Sequence, residues 1–86
     1  MTETRRRAFR GISTRLAREY LCRLGGEVGT TGGVSGPRWS ATITEETVEV
    51  GPSLELTEVQ ITFEGSAEDL DELIPSFARK AMRAGG

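Results

Sequence analysis

The sequence contains no histidine and a single cysteine, Cys22. Without histidine, the commonest general base near neutral pH and the commonest nitrogen ligand for a metal are both missing. One thiol and scattered carboxylates do not make a zinc or iron–sulfur centre, and a Ser/His/Asp set is impossible. The lone cysteine rules out an internal disulfide and fits a reducing compartment. No apolar run approaches the ~18 residues of a membrane span, and Met1 to Arg10 lack the apolar core of a signal peptide. A cytoplasmic protein with no membrane contact is expected. The glycine-rich stretch has no G-x-x-x-x-G-K-[ST] pattern and leads into a strand rather than a helix, so it is no phosphate loop. These absences predict a chain that is not an enzyme, with no catalytic residues, metal or cofactor. Lysine is nearly absent too: of eleven basic residues only Lys80 is not arginine. A GC-rich genome or a high-salt cytoplasm would each produce that.

What is present is ordinary for a globular chain. Eighty-six residues form one domain, residues 1–86, with 36% hydrophobic and 28% charged residues. A chain of this size buries roughly 60–65% of its unfolded surface. The formal net charge is −2, unevenly spread. Residues 1–24 carry seven arginines against Glu3 and Glu19. Residues 25–72 carry Arg38 alone against nine glutamates and two aspartates, and Arg79, Lys80 and Arg83 follow. The chain is basic at both ends and acidic in the middle.

Periodicity outlines the elements. From Ser66 to about Ala84, Leu70, Leu73, Ile74, Phe77, Ala78, Ala81 and Met82 recur at helical spacing and form one apolar stripe. Ser66 and Asp69 read as a capping box, and acidic residues at the start and basic ones at the end suit the helix dipole. Pro75 lies inside this helix and predicts a kink near Asp71–Ile74 rather than a break, because the stripe keeps its phase. A second helix starts at Ser13, a good N-cap, with Leu16, Ala17, Tyr20, Leu21 and Leu24 on one face and Arg15, Arg18, Glu19, Cys22 and Arg23 on the other. Gly25 and Gly26 end it. Arg5–Gly11 reads as a strand with Phe9 on one face and Arg6, Ala8 and Arg10 on the other. Gly25–Pro37, with six glycines in thirteen residues, reads as a loop with room for a short hairpin around Thr30–Gly33. Arg38–Thr44 alternates, with Trp39, Ala41 and Ile43 inward. Glu45–Glu46 is expected to turn, and Thr47–Gly51 to return with Val48 and Val50 inward. Leu54–Glu64 changes parity between Leu56 and Val59, which predicts a β-bulge near Thr57–Glu58. The resulting order is β-α-β-β-β-α: an α+β two-layer sandwich, its sheet antiparallel and both helices on one face.

Five features bear on function. Arg5, Arg6, Arg7, Arg10, Arg15 and Arg18 form a basic end that could meet an acidic partner or phosphates. Nucleic-acid binding ranks below a protein partner, because the charge is net negative and Phe9 and Trp39 fall on faces expected to be buried. The glutamates at 45, 46, 49, 55, 58 and 64 read as solvated strand faces rather than a paired-acid site. Cys22 lies near Arg18 and Arg23, which would favour a thiolate, yet reads more simply as a tolerated small residue. Gly85-Gly86 resembles the di-glycine tail of ubiquitin-like carriers and modifiers, although here it follows a helix rather than a strand. A sheet with one uncovered face adds self-association to the expectations.

The runs Phe9-Arg10-Gly11-Ile12, Ala17-Arg18-Glu19-Tyr20-Leu21, Val50-Gly51-Pro52, Leu56-Thr57-Glu58-Val59, Thr62-Phe63-Glu64-Gly65 and Lys80 to Gly86 together resemble the C-terminal domain of proteins related to the small subunit of molybdopterin synthase. The resemblance implies a fold similar to one TATA-binding-protein-like repeat, helices backing a curved antiparallel sheet. It also implies an accessory role beside a sulfur carrier or molybdopterin-pathway protein. No catalytic residue carries over. The sequence holds no carrier domain of its own, which weighs against a direct carrier role.

Overall fold

Two long strands set the dimensions of the molecule. Thirteen residues of extended chain at ~3.4 Å each reach about 44 Å, and the longest axis of the molecule is 44 Å. The computed structural model describes residues 2–30 and 32–85. In chain order the elements are β1 (Glu3–Arg10), α1 (Thr14–Arg23), β2 (Glu27–Val28), β3 (Val34–Ser35), β4 (Trp39–Gly51), β5 (Leu54–Gly65) and α2 (Ala67–Gly85). The sheet order is β1-β5-β4-β3-β2, with every neighbouring pair antiparallel. The α+β class and the antiparallel sheet match the sequence reading, but the strand count does not: the order is β-α-β-β-β-β-α.

Local chemistry explains the helix ends. The Ser13 hydroxyl accepts from the Leu16 N–H at 3.0 Å, satisfying one of the free donors of the first turn of α1. At its other end Gly25 adopts φ +103, where a side chain would be strained. There Gly25 N–H donates to the Cys22 carbonyl at 3.1 Å and Gly26 N–H to the Leu21 carbonyl at 3.0 Å, the paired bonds of a Schellman cap. For α2, the Ser66 hydroxyl donates to Asp69 Oδ2 at 2.6 Å and accepts from the Asp69 N–H at 3.2 Å. Pro75 is exposed and α2 continues through it. The bond that proline removes would have gone to the Asp71 carbonyl on the solvent side, where water can replace it.

One core joins both helices to one face of the sheet. Val59, Ile61 and Phe63 of β5 and Leu70, Phe77, Ala17 and Leu21 of the helices are all fully buried in a single cluster. α1 lies over β4, β3 and β2, and α2 over β5 and β1. Phe77 is the meeting point. Its ring lies 4.9 Å from Phe9, 6.1 Å from Phe63 and 6.2 Å from Tyr20, each edge-on. Met82, placed on the stripe by sequence, is 75% exposed. At 3.6 residues per turn it has drifted about 120° from Leu70, while Ala81 stays within about 20°.

Two strand expectations are corrected, and the room left for a hairpin in the glycine-rich loop is filled. Glu45–Glu46 is not a turn: β4 runs straight through, with Glu45 opposite Val59 and Glu46 opposite Glu58. The chain reverses at Pro52–Ser53 instead, where the fixed φ of proline suits the first central position of a turn; Thr44-Glu45-Glu46-Thr47 has no such residue. No bulge occurs at Thr57–Glu58; the register is regular from Glu49/Glu55 to Trp39/Gly65, and the irregularity falls at Glu49/Gly51. The glycine-rich loop contains a real hairpin, because β2 and β3 extend the sheet beyond Ser40 and Ala41. Trp39 packs into it: a Cβ at Gly36 would come within 2.2 Å of the Trp39 indole, and one at Gly26 within 2.8 Å.

Phe77→Ala should destabilise the fold by about 3–5 kcal/mol, and Met82→Ala by no more than about 0.5 kcal/mol. Urea titration followed by Trp39 fluorescence should show a large drop in midpoint for the first and almost none for the second.

Candidate functional site

The apolar parity change in β5 is a change of face, not a slip. Residues directly opposite in an antiparallel ladder share a face. Val59, Ile61 and Phe63 point toward the helices, with Phe9 opposite Val59 and Ala41 opposite Phe63. Even-numbered residues point the other way, and Leu56 lies opposite Val48 on that open face. β1 ends at Arg10, opposite Glu58. Beyond this point β4 and β5 continue alone as a two-stranded arm, about Thr47–Thr57, outside the helical layer. Val50, Leu54 and Leu56 on the arm are 46%, 55% and 39% exposed, and Val48 is half-buried. The inward placement expected for Val48 and Val50 is therefore corrected: among the described residues neither helix covers them.

The other face of the arm is acidic. Glu49 and Glu55 stand directly opposite one another, with Glu45 four residues back along β4 on the same face. Like charges in directly opposed positions destabilise a ladder, so this pairing favours a surface that meets cations or a basic partner. Nearer the body, the open face is polar. Arg6, Thr42, Thr44, Gln60 and Thr62 line a shallow trough of about 500 Å³.

The structure divides the six candidate arginines. Arg5, Arg6, Arg7 and Arg10 lie on β1, one edge of the sheet, whereas Arg15 and Arg18 lie on α1, which covers the opposite half. Several are answered within the chain. Arg5 donates at 2.6 Å to Asp71 and at 2.6 Å to Glu3, and these bonds, Asp71 first, hold its guanidinium pKa above the usual arginine value. Arg10 pairs with Glu58 at 3.2 Å, and Arg18 Nε donates to the Gly32 carbonyl at 2.9 Å. Arg6 and Arg7 make no side-chain bond among the described residues. Phe9 and Trp39 are half-buried against the core, so neither offers a flat stacking surface. Cys22 is half-buried and also packs against the core. α2 extends to Gly85; Gly86, the second half of the di-glycine expectation, lies outside the described residues. Among the described residues no group of three or more His, Cys, Asp or Glu could hold a metal, and no helix is long and apolar enough to cross a membrane.

The arm is the feature sequence reasoning missed. Its signal was available: Val48, Val50, Leu54 and Leu56 share one parity on both sides of Gly51-Pro52-Ser53, opposite to that of Val59, Ile61 and Phe63. Two layers around one core, with an uncovered hairpin extending past them, define a small α+β domain that presents sheet surface to its surroundings. The profile of the family described as archaeal MoaD-like protein matches residues 5–86, and the chain belongs to that family. A comparison with curated protein sequences gives no match.

Since none of the described residues covers the arm, Leu54→Ser combined with Leu56→Ser should change folding stability by no more than about 0.5 kcal/mol. Ile61→Ser, on the covered face, should instead unfold much of the protein. Thermal denaturation by circular dichroism distinguishes the two positions.

Proposed function

We propose that this chain is a non-enzymatic accessory domain that docks a protein of sulfur-carrier or molybdopterin-synthesis chemistry, with the β4–β5 arm as its contact surface. The observation that carries this reading is the exposed aliphatic face of the arm. Contiguous apolar groups on a projecting hairpin are a cost in water unless a partner covers them. Family membership over residues 5–86 supports the choice of pathway. The acidic reverse face, Glu45, Glu49 and Glu55, would steer a basic partner and reject acidic ones. Nucleic acid is the poorer occupant: the arm is acidic, and Arg5 and Arg10 are already paired within the chain.

A photoreactive amino acid in place of Leu54, in cells of the native source, should cross-link a sulfur carrier or a molybdopterin-pathway protein. Recovery of unrelated proteins alone would refute the pathway. Adding Leu56→Ser should abolish the cross-link, and its persistence would remove the arm from the interface.

A further inference from the structure

The outer side of β1 has no neighbour along Glu3–Arg10, because β1 is the terminal strand. The other free edge of a long strand, β4 beyond Ala41, is acidic, with Glu45, Glu46 and Glu49. In an antiparallel ladder alternate residues turn both N–H and C=O away from their partner. Every second residue of β1 therefore offers both groups to the vacant side. β1 contains no proline, glycine or bulge to spoil that template. Its charge is of one sign from Arg5 to Arg10, which rejects a basic strand, β1 of a second copy included, and admits an acidic one.

Two of these arginines find no answer within the fold. Arg6 lies opposite Thr62 and, one strand further, Thr42; Arg7 lies opposite Ile61 and then Ile43. Neither row holds a carboxylate, and both side chains are exposed, on opposite faces of the strand. Arg10, by contrast, has Glu58 and Glu46 in its row, and Arg5 holds Glu3 and Asp71. Phe9 has Val59 across the ladder and Phe77 against its ring, and with no strand on its outer side it stays half-buried.

We infer that β1 takes up an extended acidic segment of another protein as a further, antiparallel strand of the sheet. Directly opposed residues share a face, so charge on both faces fixes the order of side chains in that segment. Read from its amino end, it places an apolar residue opposite Phe9, a residue of any kind opposite Ala8, and acidic residues opposite Arg7 and Arg6. The apolar residue extends the core outward from Phe9, and each carboxylate meets a guanidinium. β4 of a second copy cannot serve. It runs parallel to β1 when both helical layers lie on one side, and, turned over to run antiparallel, it puts Ile43 and Glu45 on the wrong faces. Nucleic acid fits less well, since phosphates would answer the arginines and N–H groups but leave the carbonyls of the edge unpaired. The contact uses the edge of the sheet rather than the apolar face of the arm, so it does not rest on the docking proposed above.

Nuclear magnetic resonance of the full, isotope-labelled chain tests the pairing. The probes are a blocked peptide as long as β1, Thr-Val-Thr-Glu-Glu-Thr-Thr-Thr, and the same residues in reverse order. The first peptide should slow the exchange of alternate amides within residues 3–10. That protection should hold at ~0.01 M salt and fade at ~1 M, where the Debye length falls from about 30 Å to about 3 Å. Arg6→Glu with Arg7→Glu, both at exposed positions, should weaken binding roughly tenfold or more. A peptide with lysines in place of its two glutamates should restore binding to that variant. No binding at low salt, equal binding of the reversed peptide, equal binding by the double variant, or protection confined to other residues would each overturn the inference. Stronger protection of the same amides by an oligothymidylate would assign the edge to nucleic acid and overturn it too. Protection that grows with protein concentration alone would assign it to a second copy, with the same result.

Discussion

The fold depends on the ring of Phe77. The sequence holds few aromatic residues, three Phe, one Tyr and one Trp, and four of the five meet at this point. α2 contributes Phe77, β5 Phe63, β1 Phe9 and α1 Tyr20. An aromatic pair adds about 0.5–1.5 kcal/mol beyond its buried area, so three edge-on contacts to one ring matter in a chain whose total stability is small. The rest of the sheet is tied in through this node. β4 is secured by its ladder to β5, and the short β2–β3 hairpin by Trp39 pressing on Gly26 and Gly36.

Distance from that node explains what is covered and what is not. The buried residues of β5 stop at Val59, which lies opposite Phe9. Beyond Glu58, which pairs with the last residue of β1, β5 has neither helix above nor β1 beside it. The arm keeps its shape through backbone bonds between β4 and β5 alone. Two-stranded hairpins are marginal in water unless anchored, and here the anchor is the buried inner face of β5, Val59, Ile61, Phe63 and Gly65. The apolar groups of the arm therefore belong to the open side of the sheet, where they cannot compete with the core for the helices.

Both helices were legible in the sequence because each carries several independent cues: Ser13 and Ser66 as caps, Gly25 as a stop, and stripes that hold phase for two or more turns. The strands were harder, because alternation says which residues share a face but not which face is covered. Leu56 and Val59 differ in parity, and a bulge and a change of covered face account for that equally well until the ends of the helices are known. Glu45–Glu46 misled for a simpler reason: charge marks solvent exposure, and an exposed strand face is as polar as a turn. β2 and β3 were hidden by glycine, which lowers strand propensity yet is required where Trp39 leaves no room for a Cβ. Met82 shows the limit of counting, since i+12 lies off the stripe on a straight helix.

The charge division of the sequence becomes a division of space. The basic amino-terminal segment runs as one edge strand, the acidic middle segment as the long hairpin, and two surface ion pairs tie β1 to its neighbours: Arg10 to Glu58 across β1 and β5, and Arg5 to Asp71 between β1 and α2. Arginine remains protonated in folded and unfolded chains alike near neutral pH, and its raised pKa in the fold contributes stability that would be lost only as pH rises above the ordinary arginine value. Around pH 7 those pairs therefore answer to salt and not to pH. The charges they leave over, Arg6 and Arg7 on one edge and Glu45 and Glu49 on and near the other, obey the same rule. The arm does not, because aliphatic contacts persist or strengthen when salt is raised. A domain built this way carries two kinds of surface that can be told apart in solution: the electrostatic contacts weaken with added salt and the apolar one does not.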